Sequence, residues 1–179
     1  MREALPHSVD PRRLAELNRE LAGRLPLGRL PRLAQVVTPA DPAADCAGYR
    51  LRFRRDESGR DLVEGEVTAT LRLRCERCNQ PLELPVISAF TLAVVEGVDE
   101  AAQLPDAYDP LLPEEGTLDP AALVEDELLL AVPAVPRHAE GACRAPCYEA
   151  APEQADDEQA AAPADDNPFA VLESLKRHH

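Results

Sequence analysis

The sequence predicts an α+β fold: an antiparallel β-sheet or partly closed barrel flanked by two helices, then a disordered acidic linker and a short C-terminal helix. Three observations carry this. Residues 49–95 largely alternate apolar with polar side chains at a period of two. Two apolar-periodic segments each open on Asp-Pro, at Asp10-Pro11 and Asp119-Pro120. Residues 149–166 hold seven Asp or Glu and no Lys or Arg, so they cannot bury enough apolar surface to order themselves. At 179 residues one core is expected, with a domain over 1–148, the linker over 149–166 and the terminal helix over 167–179.

In chain order, the first helix is expected over about 10–23, with Asp10 as cap, Pro11 at the first position, Leu14, Leu17 and Leu21 on one face, and Gly23 closing it. The following LPLGRLPRLAQ and TPADPAAD carry prolines every few residues, which forbids a long helix and predicts loops or edge strands. Strands are expected within about 49–95. Tyr49, Leu51 and Phe53 alternate with Arg50, Arg52 and Arg54. After the turn-like DESGRD come Val63, Val67, Ala69, Leu71 and Leu73 on one face, with Glu64, Glu66, Thr68, Thr70, Arg72 and Arg74 on the other. CERCNQP interrupts this pattern, and Leu82, Leu84, Val86, Phe90, Leu92 and Val94 resume it, as two antiparallel strands joined at a cysteine-bearing tip would.

A second helix is expected over about 119–132, stopped by Pro133 and Pro136. Leu123, Val124, Leu128 and Ala131 face the sheet in this reading, and Glu125, Asp126 and Glu127 form an acidic outer edge. Consecutive carboxylates splay around a helix, so they suit a solvated or partner-binding face better than acid/base catalysis. Beyond the linker, NPFAVLESLKR carries an apolar stripe of Phe169, Leu172 and Leu175, too short to be stable alone and suited to docking on the domain or a partner.

A net charge of -14 opposes a large phosphate-binding surface, since nucleic-acid affinity comes mainly from Lys and Arg releasing counterions. The chain opens MREALPHSVD without a signal-peptide apolar run and has no long uncharged stretch, so a cytoplasmic protein without membrane contact is expected. There is no Gly-rich phosphate loop and no nucleophile elbow, and no enzymatic activity is expected.

The strongest chemical signal is Cys75-x2-Cys78, a spacing that lets one turn offer two thiolates to a tetrahedral zinc ion. Alone it is half a site. The segment 138–147 offers His138, Cys143 and Cys147, and Cys75, Cys78 and Cys143 with either His138 or Cys147 would complete four ligands. Two readings stand: a structural zinc site without other cofactor, and a cluster of reduced thiols. A redox pair at Cys75 and Cys78 fits less well, because such a site opens a helix and strands flank this one.

Four blocks, LRLRCERCNQPLELPV, LPDAYDP, VEDELLLAVPAVPRH and NPFAVLESLKR, resemble the YceD family, the large ribosomal RNA subunit accumulation proteins. The resemblance implies a role in synthesis, processing or stability of 23S rRNA, and hence in accumulation of the large ribosomal subunit. The family pattern covers Cys75, Cys78, His138 and Cys143, and places Cys147 less clearly. The charge then directs expectation toward a basic ribosomal protein or an assembly factor as partner, with the 23S precursor contacted directly or indirectly. The competing readings are a direct RNA-binding module using Arg50, Arg52, Arg54, Arg55, Arg72, Arg74 and Arg77, a zinc-stapled adaptor unrelated to ribosomes, and a nuclease.

Overall fold

The computed structural model describes residues 5–38 and 45–146. The expected linker, the terminal helix with Phe169, Leu172 and Leu175, and Cys147 lie outside the described residues. Within them the fold is α+β: a five-stranded mixed sheet of order β1-β2-β3-β4-β5, not closed into a barrel. The strands are β1 (Glu20–Pro26), β2 (Cys46–Arg55), β3 (Asp61–Arg74), β4 (Pro81–Val94) and β5 (Asp109–Leu111). The first four form an antiparallel meander, and the three-residue β5 adds in parallel to β4. The helices are α1 (Pro11–Glu16), α2 (Val98–Ala101) and α3 (Pro120–Ala131).

The first helix is shorter than its periodicity suggests. Asp10 caps it through Arg12 N and Arg13 N, but it ends at Glu16. Asn18 adopts a left-handed φ of 48°, Asn18 N donates to Ala15 O and Arg19 N to Leu14 O, the paired bonds of a Schellman stop. Leu21 and Gly23 therefore lie in β1, facing Leu51 and Tyr49, and Leu17 is exposed. In the proline-rich stretch that follows, Leu25 and Pro26 close the edge strand β1, as expected. Residues 27–35 turn inward where a loop was expected, while residues 39–44 lie outside the described residues. The inward segment forms two 3-10 turns (Leu27–Arg29 and Leu33–Gln35) that drive Leu27, Leu30 and Leu33 into the core.

The β2–β4 pattern follows the expected alternation. Tyr49, Leu51 and Phe53 pair with Val67, Gly65 and Val63, which pair in turn with Ser88, Phe90 and Leu92. These residues, apart from Gly65, Ser88 and the partly buried Phe90, join Ala15, the buried leucines of the 3-10 turns and Leu123, Val124 and Leu128 of α3 in one aliphatic core. The opposite face carries Glu64, Glu66, Arg50, Arg52 and Arg72.

The acidic edge of α3 is corrected in one respect. Glu125 is buried, not outward. It accepts Arg32 N at 2.7 Å, Leu33 N at 3.0 Å and Arg32 Nε at 3.0 Å, satisfying the free N–H groups that open the second 3-10 turn. Asp126 pairs with the same guanidinium at 2.7 Å, and the half-buried Glu127 accepts Ser88 Oγ at 3.1 Å. Burial pushes the Glu127 carboxyl up, against the pull of that Ser88 bond.

Candidate metal centre

The hairpin of β3 and β4 ends where Arg74 pairs with Pro81, and the six residues between them form the tip. Cys75 N donates to Gln80 O at 2.9 Å and Asn79 N to Cys75 O at 2.8 Å, with Asn79 at a left-handed φ of 60°. This tight turn brings Cys75 and Cys78 to the same side. After α3, Pro133 and Pro136 stop the helix, and Glu76 N donates to Pro136 O at 2.8 Å, seating the following chain against the tip.

The result is a cluster of Cys75, Cys78, His138 and Cys143 whose ligand atoms all lie within 4.8 Å of one another. Cys75 Sγ is 3.9 Å from Cys143 Sγ, and Cys78 Sγ is 3.5 Å from His138 Nδ1. Zinc–sulfur bonds of about 2.3 Å place tetrahedral ligand atoms roughly 3.7 Å apart, so these separations suit that ion. His138 Nε2 sits 3.0 Å from the Pro81 carbonyl. A carbonyl can only accept, so the ring proton belongs on Nε2 and the lone pair of Nδ1 faces the thiols, the tautomer a ligand needs.

Burial pushes the Cys75 thiol up, but backbone N–H groups of His138, Cys78 and Arg77, with the Cys78 side chain, outweigh it and hold Cys75 at about 5. Cys143 is pushed up to about 11, by burial and then by its neighbours Cys78 and Cys75. The tip thus already stabilises one thiolate with directed N–H groups, as a ligand sulfur requires.

Of the two expected fourth ligands, His138 stands in the cluster, and Cys147 lies outside the described residues. The Pro81 carbonyl was beyond sequence reasoning, because backbone acceptors carry no residue signature. The function of Glu125 was missed for a similar reason: its partners are backbone groups far away in the chain. The expected partner-binding residues Asp126 and Glu127 lie on α3, apart from the cluster's four ligands. Cys46 is half-buried at the start of β2 and takes no part in the cluster. Among the described residues, no helix is long and apolar enough to cross a membrane.

Fold and site together define a small α+β protein with a Cys3His cluster at the tip of its longest hairpin. The family described as Large ribosomal RNA subunit accumulation protein YceD matches residues 63–176. The chain belongs to this YceD family. It is similar to the Large ribosomal RNA subunit accumulation protein YceD of Haemophilus influenzae, 35% identical over 174 residues that cover 97% of each chain. No solved structure matches it.

Proposed function

We propose that this chain supports the accumulation of 23S rRNA, and with it of the large ribosomal subunit, as a non-catalytic cytoplasmic factor whose hairpin tip is closed by a structural zinc ion. The observation that carries the structural role is the cluster itself. Four protein ligands saturate a tetrahedral ion, whereas catalytic zinc keeps a position open for water or substrate. Cys75, Cys78, His138 and Cys143 would hold it, and it would supply a staple between the tip and the chain after α3. The similarity to the Haemophilus influenzae protein supports the ribosomal part, and counts against a zinc-stapled adaptor unrelated to ribosomes.

A basic ribosomal protein or assembly factor is the favoured partner, because the net charge is -14 and the arginines of the strand face are largely committed. Arg50 pairs with Glu20, Arg54 with Glu64, Arg55 with Asp61 and Glu16, and Arg72 with Glu83. That face is an ion-paired surface more than a phosphate cradle.

The test is complementation in cells lacking the gene. Wild type restores the ratio of 23S to 16S rRNA, and the Cys75→Ser/Cys78→Ser variant restores it poorly. An unchanged ratio on deletion would overturn the ribosomal reading. Zinc content of protein purified without chelating resin checks the staple, and capture of ribosomal proteins with and without residues 149–179 checks the partner.

A further inference from the structure

Each of the four cluster residues has an arginine as its chain neighbour: Arg74 before Cys75, Arg77 before Cys78, Arg137 before His138 and Arg144 after Cys143. Neighbouring Cα atoms are about 3.8 Å apart. Since the four ligand atoms lie within 4.8 Å of one another, the four arginine stems start from one small knot of backbone. Arg74, Arg137 and Arg144 are exposed, and Arg77 is half-buried.

Of the other described arginines, Arg12, Arg32, Arg50, Arg54, Arg55, Arg60 and Arg72 are each ion-paired with a carboxylate. Arg13, Arg19, Arg24, Arg29 and Arg52 have no ion pair among the described residues, and what sets the tip's four apart is that each adjoins a residue of one cluster. Among the described residues, no ion pair or side-chain hydrogen bond engages Arg74, Arg77, Arg137 or Arg144. Only Glu76 and Glu140 oppose them within the tip turn and the 137–144 segment.

We infer that Arg74, Arg77, Arg137 and Arg144 form a collar around the Cys3His cluster that grips RNA phosphates, making the hairpin tip the chain's direct contact with nucleic acid. Free guanidinium groups bind phosphate oxygens in pairs and stack on unpaired bases, which suits single-stranded or loop RNA. The collar also gives the staple a purpose beyond stability. Arg137 and Arg144 are far from the hairpin in sequence, and the cluster is what brings them to Arg74 and Arg77. The choice of RNA rests on the ribosomal reading above, whereas the collar rests on geometry.

The experiment is binding of a labelled 23S rRNA fragment by the full chain, followed by fluorescence anisotropy across a salt series. For single strands the logarithm of affinity falls with the logarithm of salt at about 0.7 per phosphate contact. Each Arg→Ala change should therefore lower the slope by about 0.7, and the fourfold variant by about 2.8. The fourfold Arg→Lys variant keeps most of the slope, and Arg50→Ala/Arg54→Ala leaves it unchanged. Circular dichroism and zinc content establish that the variants are folded. An unchanged affinity and slope in the fourfold Ala variant overturns the collar, as does a loss confined to Arg50→Ala/Arg54→Ala, or binding of polyglutamate as tight as RNA. In cells, an unchanged ratio of 23S to 16S rRNA on deletion of the gene would overturn the ribosomal reading and leave the collar's RNA binding in vitro standing.

Discussion

The Glu125 carboxylate accepts the backbone N–H of Leu33 at 3.0 Å, so a charged side chain of α3 serves as the cap of a turn 92 residues earlier. It accepts Arg32 N as well, and it is only 4% exposed. Removing it orphans two N–H groups at the edge of the core. Glu125→Ala should cost about 2–4 kcal/mol in urea unfolding. Glu125→Gln, which keeps an acceptor, should cost clearly less, because the Arg32 guanidinium it also pairs with is half exposed and contributes little. Equal losses in the two variants would assign the effect to charge and not to capping.

The Phe90 ring occupies the room that a side chain at Gly65 would need: a Cβ built there lies 1.9 Å from Phe90 Cζ. The two are direct cross-strand partners in β3 and β4, so the ring covers the glycine. Gly65→Ala should therefore destabilise the protein by about 1–3 kcal/mol through overpacking, despite alanine's lower conformational entropy. Adding Phe90→Leu should recover part of that loss. A double-mutant cycle measures the coupling, and additive effects would disprove the steric account.

Local chemistry made much of the fold legible in the sequence. The Asp-Pro starts of α1 and α3 and the alternation through β2, β3 and β4 are short-range signals, and each sits where it was expected. The end of α1 was ambiguous. Leu14, Leu17 and Leu21 suit a helix, Leu21, Gly23 and Leu25 suit a strand, and the left-handed Asn18 decides between them. The three residues of β5 are too few to show a period. Cys75 and Cys78 announced the site by spacing. The presence of His138 beside them depends on where the chain returns after α3, which the bond from Glu76 N to Pro136 O fixes and no local pattern records.

The turn between β2 and β3 gives a pH prediction. Asp56 accepts Ser58 N at 2.8 Å and Arg60 N at 2.7 Å, and the Arg60 guanidinium at 3.2 Å. The backbone bond from Arg60, partly opposed by burial and helped by the Arg60 side chain and Ser58, holds the folded carboxyl below its ordinary 3.8. The stability this charge contributes is therefore complete well above 3.8 and lost as pH falls through the lower folded value. Asp56→Asn should lower the Tm modestly at pH 7, and the gap to wild type should close in strong acid. A gap constant across that range would show that the charge plays no part.

The cluster ties the segment after α3 to the hairpin tip, while the core of Leu51, Phe53, Val63 and Val124 lies between the sheet and α3 and needs no metal to stay buried. Zinc removal should then act locally. With a chelator, or in Cys143→Ala, the zinc content should fall from one ion per chain toward none, since three protein ligands hold the ion far less well than four. The amides of Cys75 and Glu76, bonded to Gln80 O and Pro136 O, should exchange faster, and those of β3 facing β2 should not. Trypsin reports the same event, because Arg137 and Arg144 are exposed and lie in the stapled segment. Cleavage at these two positions should rise on chelation while the sheet stays protected. Equal cleavage with and without chelator would show that the cluster holds nothing in place, and loss of the whole sheet would show that the ion supports the entire fold.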